Sequence, residues 1–404
     1  MSDLADLLRD YQSFGWIALI VAVFLTPIAM RVAHRFRVLD IPDQDLKPHA
    51  KPIPYLGGTA ICIAWATTLV VAMLGGTVSD WPVLLPILLG GVAMSILGLV
   101  DDVRHVAPKV RLLVGTVIIS GVILWTGAGF ELIGSLMSGA FRIFGEFGIV
   151  LPPALAGAIT WVSTPVSVIV SVFVVLGACN STNLIDGLDG LCSGVTALIS
   201  LGFLLLASHL ALWGHSPTGD PVRLVLAFAM LGAALGFLPW NFNPARIFMG
   251  DAGSVLLGYN TGILILLFAE RGNFRWVVGA LMIFALPVFD TALAMFRRWR
   301  AGRSIFEGDR SHFYDQLVQR GFSTRTTVLI CYALTLVYAL IGLLLTWIHY
   351  QPGSTRDPKV MIRTRYAVPF YLCVVLLTAL LAWWAGLTRP EGPRRTKSDQ
   401  PAGD

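Results

Sequence analysis

Between two long apolar segments lies the sequence NSTNLIDGLDG, residues 180–190, which carries two Asn, two Asp and two Gly in eleven residues. Polar groups at a membrane boundary are costly unless they are solvated, paired or bound to a ligand. If the backbone is helical here, Asp186 and Asp189 share one face. Asn180 and Asn183 repeat this spacing. Helix capping needs only one such residue, and an EF-hand needs a different Asp spacing and a Glu at its twelfth position. The segment therefore predicts one wall of a ligand site.

The composition of the whole chain indicates a membrane protein. Of its 404 residues, 56% are hydrophobic and only 13% are charged, and the mean hydropathy is +0.74. A soluble globular protein carries about 25% charged residues. The five cysteines are scattered, with neither disulfide nor zinc spacing. No strongly basic block interleaved with aromatic residues indicates a nucleic-acid partner. We predict an all-α, polytopic integral membrane protein.

Apolar runs of about 20 residues, the length of a membrane-spanning helix, recur along the chain. We predict eleven spans, at 14–33, 57–76, 82–100, 110–127, 163–181, 188–213, 221–239, 253–270, 275–296, 325–348 and 366–387. Within 128–162, the apolar stretches Phe130–Phe141 and Ile149–Ala158 are too short to span and are predicted to be surface or re-entrant pieces. Residues 1–388 should form a single transmembrane domain, and 389–404 a disordered cytoplasmic tail.

The distribution of basic residues predicts the orientation. With eleven spans and the N-terminus outside, the C-terminus is cytoplasmic, and the inside segments hold 20 of the 29 Lys and Arg. This bias agrees with the positive-inside rule, although the 349–365 loop argues mildly against it. Five polar clusters, including residues 180–190, then share the cytoplasmic face.

Two of these clusters precede the opening segment in the chain. The loop at 39–58 is stiffened by four prolines and ends in a Gly pair, and its Lys47 and His49 could contact an anion, although a plain connector is the alternative. Asp101 and Asp102 follow a span directly. Adjacent carboxylates repel, so they need a cation or a basic partner, for which Arg104 and Lys109 are candidates. A divalent metal with its phosphate ligands is the functional alternative.

Two further clusters follow the opening segment. The sequence around Arg246 leads into Gly250-Asp251-Ala252-Gly253-Ser254, which opens a predicted helix with its free N–H groups and positive dipole end. Asp251 as a simple N-cap is the alternative there, but it does not explain the flanking glycines. The last cluster runs from Asp290, in the inner half of a span, to Arg310 and His312. The inside loop at 297–325, which has seven arginines, could instead serve only as a positive-inside anchor.

Carboxylates, asparagines and Arg or His donors thus converge on one side of the membrane. This set suits a divalent cation with a phosphorylated ligand, because carboxylate oxygens bind Mg²⁺ while guanidinium and backbone N–H groups bind phosphate. The few, scattered histidines and the absence of cysteine in these clusters argue against zinc or copper. A lipid or ion transporter is the rival class. It should show mid-membrane charges or a repeat, whereas these acids lie at helix ends.

The motifs resemble those of the polyprenyl-phosphate N-acetylhexosamine-1-phosphate transferases, whose branches act in O-antigen, teichoic acid and peptidoglycan synthesis. The similarity extends from about residue 31 to 325. The matching motifs are Lys47-Pro48-His49 with Pro52-Ile53-Pro54 and Gly57-Gly58, then Asp101-Asp102, Asn180 through Leu191, Arg246 through Ser254, and Asp309-Arg310-Ser311-His312.

The resemblance implies a catalytic membrane domain that uses Mg²⁺, with Mn²⁺ as a substitute. The expected partners are a UDP-sugar, undecaprenyl phosphate, the lipid bilayer and a second copy of the chain in a homodimer. The expected location is the bacterial inner membrane, with the active site on its cytoplasmic face. The amino-acid sequence of the motif from Arg246 through Ser254 is closer to that of the N-acetylglucosamine branch than to that of the phospho-muramoyl-pentapeptide branch. The latter branch stays the alternative.

The resemblance also implies roles for individual residues. Catalysis is expected from Asp101, Asp102, Asp251 and His312, and metal binding from Asp251, Asp186 and Asp102. Substrate binding is expected from Lys47, His49, Asn180, Asn183, Asp186, Asp189, Arg246 and Arg310. The chain departs from the family where Phe313-Tyr314-Asp315 replaces a His pair and where Arg104-His105 replaces a third acidic residue. Because a phosphate monoester is largely a dianion at neutral pH, with its second pKa near about 6, we hypothesise direct in-line attack without a covalent aspartyl intermediate.

Overall fold

The structure, a computed structural model, describes residues 4–41, 52–76, 78, 80–137, 153–212, 220–269, 274–304, 312–346, 348–349, 359–360 and 364–388. The helices are α1 (Leu4–Phe36), α2 (Gly57–Leu74), α3 (Trp81–Arg104), α4 (Pro108–Thr126), α5 (Pro153–Leu184), α6 (Leu191–Leu212), α7 (Asp220–Asn241), α8 (Gly250–Phe268), α9 (Phe274–Ile283), α10 (Ala285–Arg300), α11 (Phe313–Gln319), α12 (Thr324–Thr346) and α13 (Thr364–Trp384). Two antiparallel pairs of two-residue strands join β1 (Leu39–Asp40) to β2 (Ile53–Pro54) and β3 (Ile348–His349) to β4 (Lys359–Val360).

The all-α polytopic class is confirmed. Within the described residues, nine helices are long and apolar enough to cross a membrane, or ten if α9 and α10 count as one span. The predicted eleventh span coincides with α13, whose described apolar part, Pro369–Trp384, is shorter. The orientation of the termini stays a prediction, and the tail at 389–404 lies outside the described residues.

Two sequence expectations are wrong in detail. The predicted single span at 275–296 is two helices, α9 and α10, bent by 72° at Phe284. Pro287 explains the break, because its ring lacks an N–H donor and collides with the carbonyl group four residues earlier. From residue 153, where the structure describes it, the stretch at 149–158 is not a separate surface piece, since α5 already begins at Pro153. Residues 128–137 do form a short packed connection, in which the Ser135 hydroxyl donates to the carbonyl of Ala269 at 3.0 Å.

The α8 helix is the centre of the bundle. It is almost fully buried and packs against α2, α3, α5, α7 and α9. Helices in a membrane associate through close packing of small residues, and here the backbones approach very closely. A Cβ atom added to Gly58 of α2 would lie 2.1 Å from the nitrogen of Gly253. The N-terminal turn of α8 is therefore held by its neighbours, and Asp251 lies in that turn.

Candidate active site

Four helix ends meet around the first turn of α8. They are the C-terminal end of α3 with Asp101 and Asp102, the N-terminal end of α4 with Arg111, the C-terminal end of α5 with Asn183, and the N-terminal end of α2 with its Gly pair. The prediction that the separate polar motifs form one site is supported by these contacts. Residues 68 to 150 positions apart in the chain become hydrogen-bonded neighbours through the packing of α8.

Arg111 joins two of the predicted aspartates. Its Nη1 lies 2.5 Å from Oδ2 of Asp101 and also contacts Oδ2 of Asp251, while Nη2 lies 3.5 Å from Oδ1 of Asn183. Sequence reasoning missed this residue and proposed Arg104 or Lys109 as the basic partner of the acidic pair. That assignment is wrong, because the start of α4 directs Arg111 rather than its neighbours towards the carboxylates. The available signal was a basic residue near the start of the next span.

Asp102 stabilises the start of α8 from a different helix. Its Oδ1 accepts the N–H of Asp251 at 2.9 Å, and its Oδ2 accepts the N–H of Ala252 at 3.1 Å. A carboxylate at this position satisfies free N–H groups and favours the positive end of the helix dipole. Gly250 has a φ of +67°, and a Cβ there would lie 2.6 Å from Oδ2 of Asp102. Asp102 thus caps the helix, which leaves the side chain of Asp251 available for other partners.

Asp251 is held on both carboxylate oxygens. Asn183 donates from Nδ2 to Oδ1 of Asp251 at 2.7 Å, and Arg111 occupies Oδ2. The same Asn183 amide contacts the hydroxyl of Ser254 at 3.0 Å. The alternative in which Asp251 is merely the N-cap of its own helix is therefore wrong. Its carboxylate faces α4 and α5, between a guanidinium and an amide.

The two aspartates of the 185–190 turn differ in their surroundings. Oδ2 of Asp189 accepts hydrogen bonds from Nδ2 of Asn243 and from the N–H of Ala245, both at 2.9 Å, so Asp189 ties this turn to the loop before α8. The half-buried carboxylate of Asp186 accepts no hydrogen bond from the described part of the chain. Burial, followed by the negative charges of Asp251, Asp102 and Asp189, raises the pKa of Asp186 to about 8.

Two other predicted residues lie outside this centre. Asn180 is exposed near the end of α5, and Arg246 is exposed with its guanidinium 5.9 Å from the ring centroid of Trp240. Asn241, which was not predicted as a site residue, holds the turn instead, because it accepts from the N–H of Gly190 at 3.1 Å. Lys47, His49 and Arg310 lie outside the described residues.

His312 forms a buried pair with Asp290. Nδ1 of His312 lies 2.7 Å from Oδ2 of Asp290, and the N–H of Phe313 donates to Oδ1 at 2.7 Å. The exposed fractions are 4% for His312 and 3% for Asp290. This pairing explains how the carboxylate of Asp290 is tolerated in a predicted span. A carboxylate in a span needs a partner. The bend between α9 and α10 places Asp290 next to the segment before α11, where His312 lies.

Tyr314 connects the histidine to the 185–190 turn. Its ring stacks on His312 with centroids 5.5 Å apart, and its hydroxyl donates to the carbonyl of Leu184 at 2.8 Å. A Cβ on Gly187 would lie 2.2 Å from that hydroxyl, so only glycine fits beneath the ring. Burial raises the pKa of Tyr314, which keeps the hydroxyl protonated as a donor. The residues that replace the family's His pair therefore join α11 to the turn that carries Asp186.

A cavity of about 810 Å³ opens beside the carboxylates. Its wall includes Asp101, Asp102 and Asp251 together with residues of the β1 strand and the end of α1. Phe36, Ile41 and Val103 also line it, and all three are exposed. The cavity lining therefore combines charged and apolar side chains.

The centre fits a hard divalent cation that shares its ligands with a substrate. Among the described residues, no group of three or more His, Cys, Asp or Glu side chains could hold a metal ion unaided. Mg²⁺ normally keeps several waters and takes one or two carboxylates together with substrate phosphates. Asp251 and Asp186 supply two such carboxylates, and the side-chain amide of Asn183 donates to Asp251. The unpartnered carboxylate of Asp186 is the observation that favours this fit.

Comparison with known proteins places the chain among transferases. Residues 84–269 match glycosyl transferase family 4. The chain is 31% identical to the probable undecaprenyl-phosphate N-acetylglucosaminyl 1-phosphate transferase of Bacillus subtilis (strain 168), over 81% of this chain and 83% of that protein. It is 29% identical to the decaprenyl-phosphate N-acetylglucosaminephosphotransferase of Mycolicibacterium smegmatis, over 86% and 84%. It is 32% identical to the phospho-N-acetylmuramoyl-pentapeptide-transferase of Desulforudis audaxviator, over 81% and 95%.

Proposed function

Because the chain belongs to glycosyl transferase family 4, with the polyprenyl-phosphate N-acetylhexosamine-1-phosphate transferases, we propose that it transfers N-acetylglucosamine 1-phosphate, or that of a related N-acetylhexosamine, from a UDP-sugar to undecaprenyl phosphate. The products are a polyprenyl-diphosphate sugar and UMP. The chain is a multi-pass membrane enzyme. We place its active site on the cytoplasmic face of the bacterial inner membrane, because UDP-sugars are cytoplasmic and the basic residues concentrate on that side. A homodimer stays a prediction.

The observation that carries this proposal is the arrangement around Arg111. One guanidinium lies between Asp101 and Asp251, while Asp102 and Asp186 add two more carboxylates nearby. Four ionised carboxylates around one guanidinium repel one another, so ionising the whole cluster, Asp186 included, is favourable only when a cation joins it. A cluster that only stabilised the fold would pair its charges evenly. This one suits a metal-bound diphosphate, which adds cationic charge and oxygen ligands together.

The chain's own residues position and screen the reacting groups. An oxygen of the acceptor phosphate attacks the phosphorus that carries the sugar, and the bond from that phosphorus to the oxygen of the departing UMP breaks. Arg111 offers a guanidinium to phosphate oxygens and fixes the direction of Asp251. Asn183 and Asp102 hold Asp251 from either side. When bound, Mg²⁺ supplies charge stabilisation to the diphosphate oxygens.

No general base is needed in this scheme, because the acceptor phosphate is already largely dianionic at neutral pH, with a second pKa of about 6. Asp101 is fully engaged by Arg111 and by the N–H of Val106 at 2.7 Å, which suits a positioning role. Incubation with UDP-sugar alone should therefore leave no phosphorylated aspartate. Mass-spectrometric detection of a phospho-aspartyl peptide would overturn direct attack.

The deciding experiment is a transfer assay in membranes that contain the full-length protein. UDP-sugars labelled in the sugar-linked phosphate are supplied with undecaprenyl phosphate, with and without Mg²⁺. We expect labelled lipid and UMP from UDP-N-acetylglucosamine. Transfer from UDP-MurNAc-pentapeptide alone would favour the muramoyl branch, to which one relative belongs. Release of UDP in place of UMP, or label transport without lipid product, would refute the proposed reaction.

A further inference from the structure

Two residues in the wall of the 810 Å³ cavity adopt a backbone conformation that normally belongs to glycine. Arg37 has a φ of 58° and His105 a φ of 53°, and they are the only non-glycine residues with positive φ among those that the structure describes. Arg37 directly follows α1, where the N–H of Val38 bonds the carbonyl of Ala33 at 2.9 Å. His105 directly follows α3, where its N–H bonds the carbonyl of Asp101 at 2.9 Å. Helices usually end with glycine in this position.

Strained residues of this kind cluster at functional sites, and here both carry basic side chains. Arg37 and His105 are exposed, and neither side chain forms a hydrogen bond or ion pair with another described residue. Tyr55, from the same wall, packs edge-on against Phe248 and has no hydrogen-bond partner for its hydroxyl in the described chain. Burial and the charges of Asp102 and Asp251 raise the pKa of Tyr55, so the hydroxyl stays a donor.

Part of the cavity lining is apolar. The exposed fractions of three lining side chains are 72% for Phe36, 69% for Ile41 and 55% for Val103. These residues belong to the ends of α1 and α3 and to the residue after β1. An isoprenoid chain next to its phosphate would bury apolar surface against these side chains. The donor sugar nucleotide is better served by the side of Asp251 that faces Asn183 and Asp186.

We propose that this cavity binds the acceptor, with Arg37, His105 and Tyr55 donating to the terminal phosphate of the polyprenyl phosphate and with the lipid chain leaving past Phe36, Ile41 and Val103. This assignment rests on the proposed transferase function. It identifies the part of the active site that binds the acceptor lipid. The acceptor phosphate then lies beside Asp101 and Asp251, opposite the donor. Arg37 and His105 are substrate-binding residues in this assignment, and both line the cavity in a positive-φ conformation.

The test uses glycine, which removes each side chain and relieves the backbone strain. The purified full-length variants Arg37→Gly and His105→Gly are compared with Arg104→Ala, which removes an exposed positive charge next to the cavity without changing its described wall. Loss of one charge-assisted hydrogen bond should raise the KM for undecaprenyl phosphate about tenfold, while the KM for the UDP-sugar and the thermal stability are unchanged or improved. The control should resemble the wild type. An unchanged acceptor KM, or an equal rise in both KM values, would overturn the assignment.

A binding measurement separates this inference from the proposed reaction. If the wild-type protein transfers no sugar phosphate, the reaction is wrong, but acceptor binding is still measurable by thermal stabilisation without any UDP-sugar. Undecaprenyl phosphate should raise the Tm of the wild type, and undecaprenol and inorganic phosphate should raise it less. Arg37→Gly should lose most of the shift. Equal stabilisation of wild type and variant, or equal stabilisation by undecaprenol, would exclude a phosphate subsite in this cavity.

Discussion

Gly98 sets the distance between α3 and the first turn of α8. A Cβ added there would lie 2.4 Å from the carbonyl oxygen of Asp251 and 2.7 Å from the nitrogen of Ala252. Real Cβ atoms essentially never approach closer than 3.0 Å, so the backbone of Asp251 must retreat by about 0.6 Å or more. A displacement approaching 1 Å at a reacting centre lowers the rate by about 10²-fold. We therefore expect Gly98→Ala to retain about 1% of the transferase activity.

The assay is initial-rate sugar-phosphate transfer in membranes, normalised to the amount of folded protein measured by fluorescence-detected size exclusion. Gly121→Ala is the matched control, because its helix is also membrane-spanning and a Cβ at Gly121 would meet nothing within 4 Å. Alanine is the better helix former by about 1 kcal/mol, so the control should be at least as stable as the wild type. Full activity of Gly98→Ala at normal stability would show that the α3–α8 contact does not position Asp251.

Three other substitutions test the centre. Asp251→Asn should abolish Mg²⁺-dependent turnover while the protein still inserts; retained turnover would count against its metal role. Arg111→Lys should lower kcat about tenfold or more, since one ammonium cannot reproduce the guanidinium fork, and wild-type kcat would refute the bridging role. The pKa of Asp186 is raised to about 8 from 3.8. Between pH 3.8 and pH 8 the folded protein therefore holds a proton on Asp186 that the unfolded chain has lost. Thermal stability should then fall as the pH rises towards 8, while the Mg²⁺ affinity rises. Asp186→Asn should flatten both pH profiles, and an unchanged profile would exclude this carboxyl group as their origin.

Much of the site could be predicted because its polar residues lie in short segments of the sequence. Asp101, Asp102, Asn183 and Asp251 each lie at a boundary between apolar and polar sequence, where a span must end. Hydropathy identifies such boundaries, and orientation arguments put them on one face. The resemblance to a known family then implied that these residues serve one reaction. Their convergence is supported by the contacts of Asp251 with α3, α4 and α5.

The partners of these residues could not be predicted in the same way. Asp102 was expected to bind a ligand, yet it caps a helix whose first turn is 149 positions away. Asp290 stood unexplained in a span, and its partner His312 meets it only because Pro287 bends the chain between α9 and α10. Hydropathy and local spacing carry no information about such distant pairs.

The sequence by itself determined the membrane class, most span positions and the carboxylates that form the centre, because each depends on local composition. Only the tertiary structure decided that Arg111, and neither Arg104 nor Lys109, neutralises Asp101 and Asp251. The physical reason is directional. All three basic residues are close to the acidic pair along the chain, but a guanidinium reaches both carboxylates only from the helical position that packing of α4 against α3 and α5 turns towards α8.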